Sequence, residues 1–216
     1  MVKRSQLLVS ESLQETLYRL EEVRQGFRTG SDARVQEALD WVLGRQGLKG
    51  SYRKFFAPTE KDLSEGFQML TGERYPGRKA LTRHILGEEA LRAVVLWNRR
   101  SHPAAIKALD GFDEMMNSNA GGYYCCYTCT SAYLRTLSVV NLSNCDEILE
   151  KGIGNIKKAR ASDGRWRGFP FYYTLLALSE MDVPSVKDEL QFVGKTAQKL
   201  IKNTKTRMTE HLVLGP

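Results

Sequence analysis

An all-α fold is predicted for this chain by three observations. Apolar residues recur at the three- and four-residue spacing of one helix face in segment after segment. No long stretch alternates apolar with polar residues, as a half-buried strand would. Clusters of Gly, Pro, Asn and Ser separate the periodic stretches cleanly. Counted by periodicity, the chain holds about nine helices.

Taken in order, Leu7, Leu8, Leu13, Leu17, Leu20 and Val23 mark an amphipathic helix over 5–25, broken between Gly26 and Gly30. Ser31-Asp32 caps the next helix, whose apolar face is Val35, Ala38, Leu39, Val42 and Leu43 and which ends near Gly47 and Gly50. An aromatic turn follows. Thr59, with Asp62 three residues on, caps a helix expected to run through Leu63, Phe67 and Leu70. Thr71-Gly-Glu-Arg-Tyr-Pro-Gly77 is a turn, and a long helix over 78–98 carries Leu81, Ile85, Ala90, Leu91, Val94 and Val95. Ser101 or His102 then precedes Pro103, which suits the first helical position because its missing N–H would be unpaired there. That helix passes through Ile106, Leu109, Phe112 and Met115 or Met116 to the turn Asn117-Ser-Asn-Ala-Gly-Gly122.

A helix rich in small side chains is expected over 124–141. Ser143 or Asn144 caps another through Ile148, Leu149, Ile153 and Ile156. Pro170 stands at the mouth of a leucine-rich helix reaching Met181, and Val183-Pro184-Ser185 restarts the chain into a last helix bearing Leu190, Val193, Ala197, Leu200 and Ile201. Domain organisation follows as an N-terminal helix in 1–30, a helical-repeat domain over 31–204 and a flexible tail over 205–216.

The recurring unit is helix, glycine-aromatic turn, helix. Gly122-Tyr-Tyr-Cys-Cys-Tyr-Thr128 and Gly168-Phe-Pro-Phe-Tyr-Tyr-Thr174 share the spacing Gly-x4-Tyr-Thr and lie 46 residues apart. That spacing places Tyr127 and Tyr173 at equivalent positions of neighbouring helical hairpins, and a poorer third copy, Gly50-Ser-Tyr-Arg-Lys-Phe-Phe-Ala-Pro-Thr59, resembles Gly164-Arg-Trp-Arg-Gly-Phe169. Asp163-Gly-Arg-Trp-Arg-Gly-Phe169 with Thr174-Leu-Leu-Ala-Leu178, and Ala38-Leu-Asp-Trp-Val-Leu-Gly-Arg-Gln46, resemble the α–α toroid repeats of squalene-type terpene cyclases and protein prenyltransferase β subunits. The resemblance implies stacked helical hairpins in a partial toroid or open helical array. It does not carry catalysis with it. The Asp-x-Asp-Asp acid of the cyclases is missing, Asp110-Gly-Phe-Asp113-Glu114 having the wrong spacing, and there is no Asp-x-Cys pair of the prenyltransferase zinc site.

Composition narrows the rest. Hydrophobic content of 42% and charged content of 26% fit a water-soluble globular chain of 216 residues, long enough to bury a substantial core. Met-Val-Lys-Arg4 leads into no apolar run, and no window approaches the roughly 18 apolar residues of a membrane span. A cytoplasmic protein is therefore expected, and the crowding of three of four cysteines within 125–129 does not suit a secreted disulfide framework.

Three kinds of function remain open. The first is a non-catalytic interaction module whose aromatic residues Tyr123, Tyr124, Tyr127, Trp166, Phe169, Phe171, Tyr172 and Tyr173 line a pocket for a hydrophobic, isoprenoid-like ligand. Such a module needs no cofactor; its partner is a hydrophobic small molecule or a protein, and a homodimer would complete a short ring. The second is a nucleic-acid binder, because the net charge is +7 and Lys157, Lys158, Arg160, Arg165 and Arg167 gather around Trp166. Basic groups also collect at Arg74, Arg78, Lys79 and Arg83 and at Arg99, Arg100 and Lys107. The third is a metal or redox protein. Cys125, Cys126 and Cys129 bring three thiols to one turn, Cys126-x-x-Cys129 has ligand spacing, and Cys145 or a histidine could add a fourth ligand. His84 and Glu88 stand four apart on a predicted helix, one face offering two ligands or an acid/base pair, although Glu88 could equally pair with Arg92. His102 belongs to a helix start and His211 to the tail.

Overall fold

A computed structural model describes residues 6–214, and side chains through residue 202. Among the described residues there are nine helices and one two-stranded ribbon. The first helix, α1 (Leu13–Arg24), begins later than periodicity suggests, because Ser12 accepts from the Glu15 N–H and so sets the first turn there. Helix α2 (Asp32–Leu43) starts behind Ser31 as expected, but the Ser31 side chain makes no capping hydrogen bond and the helix stops short of Gly47; α3 (Glu60–Glu65) opens on the Thr59–Asp62 capping box. Asp62 is also accepting from Ser12 Oγ at 2.7 Å and Leu13 N at 2.9 Å, so one carboxylate caps α3 and pins the start of α1.

The expected continuation of α3 through Phe67 and Leu70 is not formed. Gly66 stops the helix at φ 85°, where an added Cβ would lie 2.8 Å from Pro76 Cα. Phe67–Gln68 (β1) instead pairs antiparallel with Arg74–Tyr75 (β2), with Phe67 stacked over Tyr75. Strand pairing of two residues per side leaves no alternation long enough to read in sequence.

The remaining helices are α4 (Lys79–Leu96), α5 (Pro103–Ser118), α6 (Tyr127–Val140), α7 (Cys145–Lys158), α8 (Phe171–Ser179) and α9 (Val186–Leu214). Pro103 opens α5 behind a His102 N-cap whose Nδ1 accepts from Ala104 N at 3.2 Å. Pro170 sits one residue outside α8 and offers its N-terminus no side-chain acceptor. Glu73, at the tip of the β1–β2 ribbon, supplies it: its Oε1 accepts from Tyr172 N at 2.9 Å and Tyr173 N at 3.1 Å. Helix α9 covers most of the segment expected as a tail; residues 215–216 and the side chain of His211 lie outside the described residues.

The two glycine-aromatic turns do come side by side. Gly168, at φ 81°, leaves room for the Tyr127 ring, which a Cβ there would meet at 2.3 Å, and Tyr127 packs on Phe169 with centroids 4.7 Å apart. Ser131 and Thr174 join α6 to α8 through a 2.9 Å hydrogen bond. The proposed equivalence of Tyr127 and Tyr173 fails, however. Tyr127 opens α6 and is 42% exposed, whereas Tyr173 is the third residue of α8 and 1% exposed. Helix starts at 127 and 171 are out of step with the sequence repeat, so the shared letters fall on different faces.

Helix α4 is the hub, packing against α1, α2, α3, α5 and α6. Its buried set extends beyond the predicted apolar stripe to Thr82, His84, Glu88 and Arg92. Leu7, Leu13, Leu17 and Leu20 join the same core as Val35, Leu39, Leu91, Leu134 and Leu178. Where α1, α4, α6 and α8 meet, the interior is charged. Arg135, fully buried, reaches Glu89 at 2.7 Å and Glu180 at 2.8 Å. Arg92 reaches Glu21 at 3.1 Å and Glu180 at 2.8 Å, and Arg24 holds Glu21 at 2.6 Å. Three guanidiniums thus face three carboxylates, and the Tyr173 hydroxyl donates to Glu89.

Candidate metal centre

The turn ahead of α6 is built to present sulfur. Thr130 Oγ1 accepts from Tyr124 N at 2.9 Å and donates to Cys126 O at 2.8 Å, tying the turn to the first coil of the helix. Cys126 is the N-cap, its Sγ accepting from Cys129 N at 3.5 Å. The ligand atoms of Cys125, Cys126 and Cys129 consequently lie within 4.8 Å of one another. Burial grades from exposed Cys125 through half-buried Cys126 to buried Cys129, and all three are free thiols.

These thiols line a cleft of about 600 Å³ together with Tyr52, Gly77, Leu81, His84 and Tyr124, with Arg78 and Lys79 along its rim. The first residues of α4 and the Cys126 cap of α6 both line this space, so the N-terminal, positive ends of two helix dipoles border it. No acidic residue occupies the first turn of either helix. Burial pushes the Cys125 and Cys129 thiols above their ordinary range and raises the Glu88 carboxyl likewise. Anionic sulfur here therefore calls for a compensating positive charge.

His84 forms the floor. It is 3% exposed and packs against two phenol rings, with centroids 4.9 Å to Tyr52 and 4.5 Å to Tyr124. The two phenol hydroxyls hydrogen-bond to each other. Nε2 lies 3.2 Å from Oε1 of the fully buried Glu88. The two side chains are in contact, but among the described residues neither imidazole nitrogen nor either Glu88 oxygen completes a well-formed hydrogen bond. Glu88 pairs with His84 and not with Arg92, which is committed to Glu21 and Glu180.

The other sequence candidates are placed as follows. Tyr124 lines the cleft. Trp166, Phe169, Phe171 and Tyr173 are packed in the hydrophobic core, and Trp166 donates to Glu189 at 2.9 Å. Tyr123 and Tyr127 are exposed and meet edge to face, and Tyr172 is exposed on α8. The basic group around Trp166 is largely paired: Lys157 with Asp188, Arg160 with Glu189, and Arg165 with Asp163 at 3.9 Å and over the Phe171 ring. Lys158 contacts Asn155 at 3.5 Å, and Arg167 is exposed. Cys145 opens α7 and lines a different cavity.

Sequence reasoning noted the cysteine turn and the His84–Glu88 spacing separately. It missed that they share one cleft, and it missed Tyr52, whose place there depends on how the turn before α3 folds back over α4. No family model, curated protein or solved structure matches the chain, so its function has to be argued from this cleft.

Proposed function

We propose that the chain is a metal-binding helical module without catalysis of its own, holding one soft divalent ion, zinc foremost, on Cys125, Cys126 and Cys129. The convergence of the three sulfurs within 4.8 Å carries this reading. Tetrahedral zinc with Zn–S near 2.3 Å sets its sulfurs about 3.8 Å apart, so the thiols need to close by about 1 Å. That closure falls to the cysteine side chains, since Thr130 already holds the backbone. An iron–sulfur cluster fits less well, because it wants four thiolates. Protein purified without a tag under reducing conditions, then zinc-loaded and freed of excess, is expected to retain one zinc per chain. Loss of all zinc on desalting would refute the reading, and a Cys126–Cys129 disulfide in its place would favour redox chemistry.

The walls favour a second, compatible reading. Tyr52, Ala80, Leu81 and Tyr124 give the cleft an apolar side, and about 600 Å³ is within the range of small-molecule sites. A short hydrophobic ligand could lie there above the thiols. Prenyl alcohols and fatty acids are expected to raise the melting temperature of the native chain and not of Leu81→Asp; equal response in both would remove this reading.

A further inference from the structure

We infer that His84 is the fourth ligand of the proposed ion, bound through Nδ1, and that Glu88 is the carboxylate that orients it through Nε2–H. This rests on the three-thiol reading and deepens it. His84 and the thiols line one cleft, the imidazole on α4 and the sulfurs on the turn leading into α6; the imidazole stands outside the 4.8 Å group of the three sulfurs, so the ion would have to draw the two together. A buried imidazole with both nitrogens unsatisfied is costly, because each polar atom has given up water without replacement. A metal on Nδ1 uses one of them. The other then becomes an N–H donor 3.2 Å from the Glu88 carboxylate, whose oxygens are equally without donors. Metal on Nδ1 would leave that N–H free to come into line with the carboxylate.

This is how histidine ligands are usually held: the nitrogen not on the metal donates to a carboxylate, which fixes the tautomer and the ring plane. The spacing that delivers it is His84-x-x-x-Glu88 on one face of α4. Tyr52 and Tyr124 both pack on the ring and limit its rotation before the ion arrives. Three thiolates, one imidazole and a divalent ion carry a net charge of −1. The helix N-termini of α4 and α6, with Arg78 and Lys79 on the rim, are arranged to offset it. Four protein ligands close a tetrahedron, the arrangement of a structural and not a catalytic zinc.

X-ray absorption on the zinc-loaded native chain tests the assignment directly. The expected coordination is three sulfurs and one nitrogen with imidazole outer-shell scattering; three sulfurs with a water oxygen, or four sulfurs, would overturn it. Competition titration with a chromophoric chelator gives the second readout. Glu88→Gln is expected to weaken zinc by about 10–100-fold and His84→Ala by more. Both variants need the native circular dichroism spectrum, and if His84→Ala does not fold, the absorption result on the native chain decides alone. Native affinity in a folded His84→Ala would reject His84 as ligand while leaving the three thiols standing. Failure of the native chain to hold zinc would reject both.

Discussion

Replacing Arg135 by Met is expected to be among the most destabilising single changes in this protein. The side chain is fully buried in α6, and its guanidinium donates to Glu89 at 2.7 and 2.8 Å and to Glu180 at 2.8 and 3.1 Å, with Glu21 at 3.5 Å. Methionine fills much of the volume and restores none of the charge. Among the described residues, Glu89 would keep the Tyr173 hydroxyl as its hydrogen-bond partner but lose its ion pair. Breaking one side of a buried pair costs about 3–5 kcal/mol, chiefly because the stranded carboxylate has lost both water and cation. For a chain of this length that is a fall in melting temperature of about 6–20 °C. Adding Glu89→Gln restores the balance, two guanidiniums now facing Glu21 and Glu180, and is expected to recover about 1–3 kcal/mol of the loss. Urea denaturation of the native chain, both single variants and the double variant closes the cycle. A loss below about 1 kcal/mol for Arg135→Met, or strictly additive effects, would refute the claim that this network is desolvated and mutually dependent.

Acid should act on the same network. Burial alone would raise Glu21, but hydrogen bonds from Arg24 and Gln25 and the charges of Arg92 and Arg135 outweigh it and hold the carboxyl at about 2 against an ordinary 4.5. Because the folded value is the lower one, its stabilisation, about 3 kcal/mol, is complete above about pH 5 and drains away as the pH falls toward 2. Urea midpoints at pH 7, 4 and 3 should show this fall, with a shallower one in Glu21→Gln; a flat profile would contradict it. Glu73→Ala removes the acceptor at the α8 N-terminus and should cost about 1–2 kcal/mol, with Glu73→Gln retaining part of the contribution, both read from denaturant midpoints. Gly168→Ala combines a left-handed φ with a Cβ 2.3 Å from the Tyr127 ring and should cost about 1–3 kcal/mol. In a Tyr127→Ala background the steric part disappears, so an unchanged cost there would show that the ring is not what demands glycine.

Helices that carry their own punctuation were legible in the sequence. Thr59 with Asp62, and His102 with Pro103, are local signals, and the structure uses both where expected. Local signals are silent about partners supplied from afar. Helix α8 takes its cap from Glu73, about a hundred residues earlier in the chain, and no reading of residues near 170 could supply that acceptor. The repeat misled for a related reason. Gly-x4-Tyr-Thr records spacing along the chain, but the N-caps Cys126 and Pro170 fall two positions apart in that repeat, so equal spacing put Tyr127 and Tyr173 on unlike faces. Buried charge was hidden as well, because period analysis assigns Arg92 and Arg135 to solvent. A trace was available in α6, where Arg135 stands alone among apolar and small residues from Tyr127 to Val140.

The charged centre also constrains where a ligand can sit. A toroid that encloses an apolar molecule needs an apolar void where its inner helices meet, and here α1, α4, α6 and α8 meet through three guanidiniums and three carboxylates. A molecule entering that region would have to part at least one buried pair. At about 25 cal/mol per Å², offsetting 4 kcal/mol requires about 160 Å² of apolar burial before any net affinity appears. The cleft imposes no such cost. Consecutive residues of α4 divide the two environments, since neighbours on a helix point about 100° apart. Glu89 turns to Arg135 in the centre, while Glu88 turns to His84 beneath the thiols. Charge on the inner side is already balanced, whereas on the cleft side His84 and Glu88 lack hydrogen-bond partners and two helix N-termini face three sulfurs. Unsatisfied groups mark a place where an additional component has something to gain, and the four unpartnered atoms of His84 and Glu88 are gathered at the cleft, whereas those of Arg83, Arg92, Ser185 and Glu189 are scattered.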